Sequence, residues 1–133
     1  SSLVLTVSKV YKKLFNRIKK LISQGYKINN FELVDHKTAI DLLKKNFILV
    51  HSSSVESFGL VLLEASQLGN AIIAPNLNYV HEVCIPTLTY NLNDLNGLIK
   101  CLEDSVNANL ISSKPKIKNM SNDLINHLYS KLN

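Results

Sequence analysis

The most informative pattern for the fold lies in "FILVHSSSVESFGLVLLEASQLGNAIIAP", residues 47–75. Its first part, residues 47–52, is a short apolar run, which predicts a buried strand. A Ser-rich loop and an apolar helical segment at about residues 59–68 follow, and Gly69 closes the helix. The second apolar run, residues 71–75, predicts another buried strand. Strand, helix and strand in this order predict two parallel strands joined by a right-handed crossover.

The same alternation runs through most of the chain. Further strands are predicted at residues 3–8, 30–35 and 87–90, and further helices at about 9–24, 36–46, 78–84 and 94–106, the last with Asp94 as its N-cap. This order predicts an α/β fold with a doubly wound, Rossmann-like parallel sheet covered by helices on both faces. We expect this domain to span residues 1–110, with a polar linker and a last amphipathic helix in residues 111–133.

Length and composition limit the class of protein. The chain has 133 residues, of which 46% are hydrophobic and 19% charged, typical of one globular domain without a membrane span. Cys84 and Cys101 have no motif spacing, and we interpret both as reduced, structural thiols of a cytoplasmic protein. Apart from His81 and Cys84, no histidine lies three or four residues from another histidine or a cysteine, and one such pair does not make a zinc site, so neither a metal nor a cofactor is expected. The chain lacks an initiator Met, and we expect the start of its parent protein to be missing.

The net charge of +5 is concentrated near the first predicted helix. Its basic residues are Lys9, Lys12, Lys13, Arg17, Lys19 and Lys20. One interpretation is a solvated outer face on a helix that packs through Val10, Leu14, Ile18, Leu21 and Ile22. The other is a peripheral contact with anionic lipid at the inner face of the cell membrane. Binding of nucleic acid is not expected, because no aromatic residues alternate with the basic ones and no recognition motif is present.

The loop and helix of residues 53–68 combine groups that suit an anionic ligand with a vicinal diol. The first amides of the helix, at Gly59 and Leu60, have no intrahelical acceptor and favour an anion such as a diphosphate. Glu64 lies one turn further on the face of Leu60, and a carboxylate there can accept two hydrogen bonds from a vicinal diol such as a ribose. The alternative is that Glu56 and Glu64 are ordinary acidic residues near a helix start, which favours them through its dipole.

Several segments together resemble the C-terminal, donor-binding domain of GT-B glycosyltransferases, especially the large retaining group (group 1, family 4-like). "ESFGLVLLE", residues 56–64, matches the family's pattern of a glutamate, seven residues and a second glutamate. "EASQLGNAIIAPNLNYVHEVC", residues 64–84, is similar to the family's following segment, and "FELVDHKTAIDLLKKN", residues 31–46, to the segment that reaches the nucleotide base. The resemblance covers roughly residues 3–105.

The resemblance implies a role for each matching residue. Glu64 would hold the ribose hydroxyls, and the amides of Gly59 and Leu60 the diphosphate. Glu56 would be the catalytic residue and would line the side of the transferred sugar together with Phe58. Backbone around Val34 would contact the base. The implied reaction moves a hexose-type sugar, with retention, from a nucleotide diphosphate sugar to a glycan or lipid-linked acceptor, without a metal.

The chain also departs from the family pattern. The basic pair that binds the diphosphate, the Gly-rich turn after the first strand and the N-terminal acceptor domain have no counterpart in this sequence, and His51 stands where the family usually has proline. We therefore expect a fragment that is inactive alone and has the missing N-terminal domain of its own chain as a partner. The implied pathway is the biosynthesis of surface polysaccharide or lipopolysaccharide.

Two other function classes stay open at this point. A non-catalytic module could keep the donor fold as a binding or assembly partner, which the missing basic pair favours. A flavodoxin-like regulatory domain is a weaker alternative, because it would require an acidic cluster at the edge of the sheet, and Glu56 and Glu64 are not placed to form one.

Overall fold

A computed structural model describes residues 2–116 of the chain. The chain divides into two compact units, Ser1–Asp41 and Leu42–Asn133. The first contains β1 (Leu3–Leu5), α1 (Lys12–Ser23), β2 (Ile28–Asn30) and the first part of α2 (His36–Lys45). The second continues with β3 (Ile48–Val50), α3 (Leu60–Gln67), β4 (Ala71–Pro75), α4 (Asn78–Val83), β5 (Cys84–Ile85), β6 (Leu88–Tyr90), α5 (Leu95–Asn107) and β7 (Lys114–Pro115). The predicted α/β class with parallel strands is confirmed.

In the first unit, β1 and β2 form a parallel pair. The second strand was predicted at residues 30–35, which is wrong, because β2 ends at Asn30. The Asn30 side chain takes over the pairing: the Val7 N–H donates to its Oδ1 at 2.8 Å, and its Nδ2 donates to the Val7 carbonyl at 3.0 Å. Glu32 then adopts a φ of +61°, which turns the chain out of the extended conformation.

Helix α1 packs against β2, but less of its apolar face is covered than the sequence suggests. Of the five side chains expected to point inward, Ile18 is buried and Leu21 half-buried. Val10 precedes the helix and is 81% exposed, and Leu14 is 50% exposed. Ile22, near the end of the helix, is 42% exposed. The prediction of a fully packed stripe is therefore wrong at both ends, and at the N-terminal end exposed apolar side chains lie next to lysines.

The second unit is built around β4. The parallel sheet has the order β3-β4-β6, with Ile48 opposite Ala71 and Ile73 opposite Leu88. All five residues of β4 are buried, which explains why this strand is an uninterrupted apolar run. Side chains from α3, β4, α4 and β5 form the core: Leu62, Leu63, Ala65, Ile72, Ala74, Val80, Val83 and Cys84.

The C-terminal part of the second unit confirms one prediction and shows a missed element. Asp94 caps α5 as expected, since its side chain accepts a hydrogen bond from the Gly97 N–H at 2.9 Å. Strand β7 lies in the segment expected to be a linker and pairs antiparallel with β5. Next to it, Ser113 is buried and donates its hydroxyl to the Asn70 carbonyl at 2.6 Å. The helix predicted at residues 119–132 lies outside the described residues, and the domain boundary after residue 110 stays a prediction.

Candidate functional site

A loop at residues 51–59 connects β3 to α3 at the carboxyl edge of the second unit's parallel sheet. The connection from β4 to α4 and the one from β6 to α5 start at the same edge, because the three strands run in the same direction. Ligands of α/β sheets bind outside this edge, where loops lead into the N-termini of helices. The loop stays irregular because it is rich in serine, and the Ser53 hydroxyl donates to the Val55 carbonyl at 2.6 Å.

Gly59 fixes the end of the loop and the start of α3. It is the N-cap residue, with a φ of +61°, and it is buried. A Cβ at this position would lie 3.0 Å from Val83 Cγ2, so both the backbone conformation and the space favour glycine. No side chain caps α3, so its first amides remain available to an anion at the positive end of the helix dipole. Phe58 and Leu60, on either side of Gly59, are 43% and 40% exposed.

The two glutamates belong to different parts of this site. Glu56 is half-buried in the loop. Burial and, to a smaller extent, the negative charge of Glu56 raise the pKa of Tyr79, and the same charge opposes the lowering of the His51 pKa by burial. The Glu56 carboxylate therefore acts electrostatically on both side chains. Glu64 is half-buried in the second turn of α3, on the helix face of Leu60 and Gln67 and away from the core side chains.

Val34 lies in the first unit, in the segment between β2 and α2, where it is half-buried. Its neighbour Asp35 has a local structural role, because its Oδ1 accepts a hydrogen bond from the Thr38 N–H at 2.7 Å near the start of α2. Hydrogen bonds from Thr38 hold the pKa of Asp35 below its usual value. A contact of Val34 with a nucleotide base stays a prediction.

Three polar residues near the loop were not selected from the sequence as site residues. His51 follows β3, Tyr79 lies in α4, and Tyr90 ends β6. Burial lowers the pKa of His51 and raises the pKa of both tyrosines. Their positions in the sequence could have indicated them, because each lies at the end of a predicted strand or at the start of a predicted helix. The sequence does not show that the three side chains lie close together, because they come from different elements.

Metal ligands, surface depressions and membrane-spanning helices are further features of residues 2–116 that could indicate a function. No three His, Cys, Asp or Glu side chains in this part of the chain come close enough together to hold a metal ion. A depression of about 320 Å³ in the first unit is lined by Lys9, Phe15, Ile18, Lys19, Ile22, Asn30 and Glu32, and none of these is a predicted site residue. No helix within the described range is long and apolar enough to cross a bilayer.

Comparison with protein families gives one match. The model of the family "Glycosyl transferases group 1" matches residues 9–125, which is most of the chain. The chain belongs to the group 1 glycosyl transferases. Comparisons with curated proteins and with solved structures returned no significant match. Membership of this family supports glycosyl transfer as the general activity, with a nucleotide sugar as donor and a glycan as acceptor.

Proposed function

We propose that this chain supplies the donor-binding site of a retaining, family 4-like GT-B glycosyltransferase that transfers a hexose-type sugar from a nucleotide diphosphate sugar. The observation that carries the proposal is the uncapped start of α3 at Gly59, at the carboxyl edge of the sheet, with Glu56 before it and Glu64 one turn into the helix. This arrangement offers backbone donors to a diphosphate and a carboxylate to a diol, the two groups that a ribonucleoside diphosphate sugar carries.

In this proposal the diphosphate binds to the amides of Gly59 and Leu60, and Glu64 accepts hydrogen bonds from the ribose. The positive end of the α3 dipole stabilises the negative charge that develops on the leaving diphosphate, so the step requires no metal. Glu56 and Phe58 line the side of the transferred sugar, with Glu56 as the catalytic residue, and Val34 contacts the base. The acceptor is a glycan or a lipid-linked glycan of a surface polysaccharide or lipopolysaccharide pathway. Because the acceptor would bind to a separate N-terminal domain, the chain alone would bind donor without transferring sugar.

Titration of the 133-residue chain with uridine and guanosine diphosphate sugars tests the donor site. Glu64→Ala should weaken the affinity for the preferred donor by about 10- to 100-fold, the range expected for hydrogen bonds to a charged group. Glu103→Ala, which removes an exposed glutamate of α5, is the matched control and should bind as the unchanged chain does. Equal affinities for both variants would refute the assignment of Glu64.

Exposed groups at the start of α1 support the further proposal that the protein works at the inner face of the membrane. Val10, Tyr11 and Leu14 are at least half-exposed next to Lys12 and Lys13, a combination that suits an anionic lipid surface. Each lysine should contribute about 1 kcal/mol to binding, so replacing both by Gln should weaken the affinity for phosphatidylglycerol vesicles by about tenfold or more. Co-sedimentation with the vesicles measures this affinity. The same double change at Lys44 and Lys45 in α2 is the control, and equal binding by both double variants would refute the contact.

A further inference from the structure

The beginning of the 51–59 loop is held by a chain of hydrogen bonds that we call the Tyr79 latch, formed by Ser53, Tyr79 and His51. The Tyr79 hydroxyl donates to the Ser53 carbonyl, and His51 Nε2 lies 3.1 Å from the Tyr79 oxygen. Because a phenol has one proton, and Tyr79 gives it to Ser53, His51 must donate its own Nε2–H to Tyr79. Linked donors of this kind polarise and strengthen one another.

The latch occupies a particular place along the loop. Before it, the His51 N–H donates to the Ile73 carbonyl at 2.9 Å, and the Tyr90 hydroxyl donates to the His51 carbonyl at 3.1 Å. Beyond it, Val55 is 79% exposed, and the chain is fixed again at buried Gly59. The bond to Ser53 is therefore the last one in the described structure that ties the loop to another element before Glu56.

We propose that Tyr79 is a positioning residue that holds the loop so that Glu56 and the first amides of α3 meet a bound nucleotide diphosphate sugar together. His51 acts through Tyr79, because its Nε2–H orients the hydroxyl toward Ser53. The inference rests on the proposed donor site, and it adds two residues to that site that need not touch the ligand. Without the hydroxyl, the free part of the loop would extend back from Ser53 to His51, whose backbone is still held by β4 and β6.

Amide hydrogen exchange of the ligand-free chain tests the latch independently of donor binding. Tyr79→Phe should raise the exchange of residues 54–58 by about tenfold, since about one net hydrogen bond is lost. Tyr90→Phe is the matched control, because it removes the same hydroxyl group from a neighbouring element while the His51 N–H bond to Ile73 remains. Amide exchange in the loop should then stay within about twofold of the unchanged chain. Equal exchange of the loop in both variants would show that Tyr79 is an ordinary packing residue.

Histidine variants test the orienting role. His51→Gln keeps an amide donor close to the position of Nε2, and loop exchange should stay within about twofold of the unchanged chain. His51→Leu removes the donor and should raise loop exchange by about threefold or more. If His51→Gln raises loop exchange as much as His51→Leu does, the hydrogen-bond donor at this position does not orient Tyr79, and the proposed role of His51 is wrong.

Titration with UDP and GDP then connects the latch to the donor. Tyr79→Phe should weaken the affinity for the preferred nucleotide by about tenfold, because the loop must be ordered on binding, while Tyr90→Phe should bind within about twofold of the unchanged chain. Faster loop exchange with unchanged affinity would overturn the positioning role alone. Failure of the unchanged chain to bind either nucleotide would overturn the donor site and the positioning role together, while the exchange data would still decide whether the latch exists.

Discussion

Asn70 caps the end of α2 from a distant part of the chain, and its replacement should destabilise the second unit measurably. The residue is 4% exposed, and its Nδ2 donates to the Leu43 carbonyl at 2.9 Å and to the Asn46 carbonyl. These carbonyls lie at the end of a helix, where no further turn supplies donors. No local pattern in the sequence indicates this role, because the carbonyl partners of Asn70 lie more than 20 residues away along the chain.

The expected cost follows from these contacts. Two net hydrogen bonds contribute about 2 kcal/mol, and the loss is partly offset because Asn70 Oδ1 is buried without a partner in the described structure. We therefore expect Asn70→Ala to lower the free energy of unfolding by about 1–2 kcal/mol. Asn70→Asp should cost more, about 4 kcal/mol, because it places a carboxylate against carbonyl oxygens in a buried site.

Urea unfolding followed by far-UV circular dichroism measures both changes. Asn91→Ala removes an exposed asparagine and should stay within about 0.5 kcal/mol of the unchanged chain. The penalty of Asn70→Asp should shrink in acid, where a protonated carboxyl can donate a hydrogen bond again. The reasoning fails if Asn70→Ala costs no more than the control, or if Asp is tolerated as well as Ala at neutral pH.

Three further predictions concern backbone strain, pH and thiol reactivity. Gly59→Ala should lower the free energy of unfolding by about 2–3 kcal/mol and Gly69→Ala by only about 1 kcal/mol. Both glycines have a positive φ, but only Gly59 lacks space for a Cβ. Equal losses in urea titrations would refute the steric part of this reasoning. Burial lowers the pKa of His51 from 6.5, so the unfolded chain binds the proton more tightly, and stability should fall as the pH drops from about 6.5 toward 5. His51→Gln should remove that part of the pH dependence of the unfolding free energy, and an unchanged slope would contradict the assignment. Cys84 is fully buried, which raises its pKa to about 11, whereas Cys101 is half-buried. A thiol reagent should therefore label Cys101 first and Cys84 only on unfolding. Rapid labelling of Cys84 in the native Cys101→Ser variant would disprove this.

Much of the fold could be predicted because the relevant signals are local. The apolar run of β4, the glycine after α3 and the Asp94 cap depend on neighbours within a few residues, and each appears in the structure as expected. The predictions that failed depend on distant partners. Strand β2 ends early because the Asn30 side chain bonds to Val7, and β7 exists because it pairs with β5.

The candidate site divides in the same way. The sequence predicts correctly that a loop with Glu56 leads into a helix that starts at Gly59 and carries Glu64, since spacing along one segment sets these positions. The meeting of His51, Tyr79 and Tyr90 at the start of that loop depends on the folded arrangement of β3, α4 and β6, because each residue comes from a different segment. Parallel strands bring the ends of separate segments to one edge of a sheet, and no local pattern in the chain specifies which side chains will hydrogen-bond there.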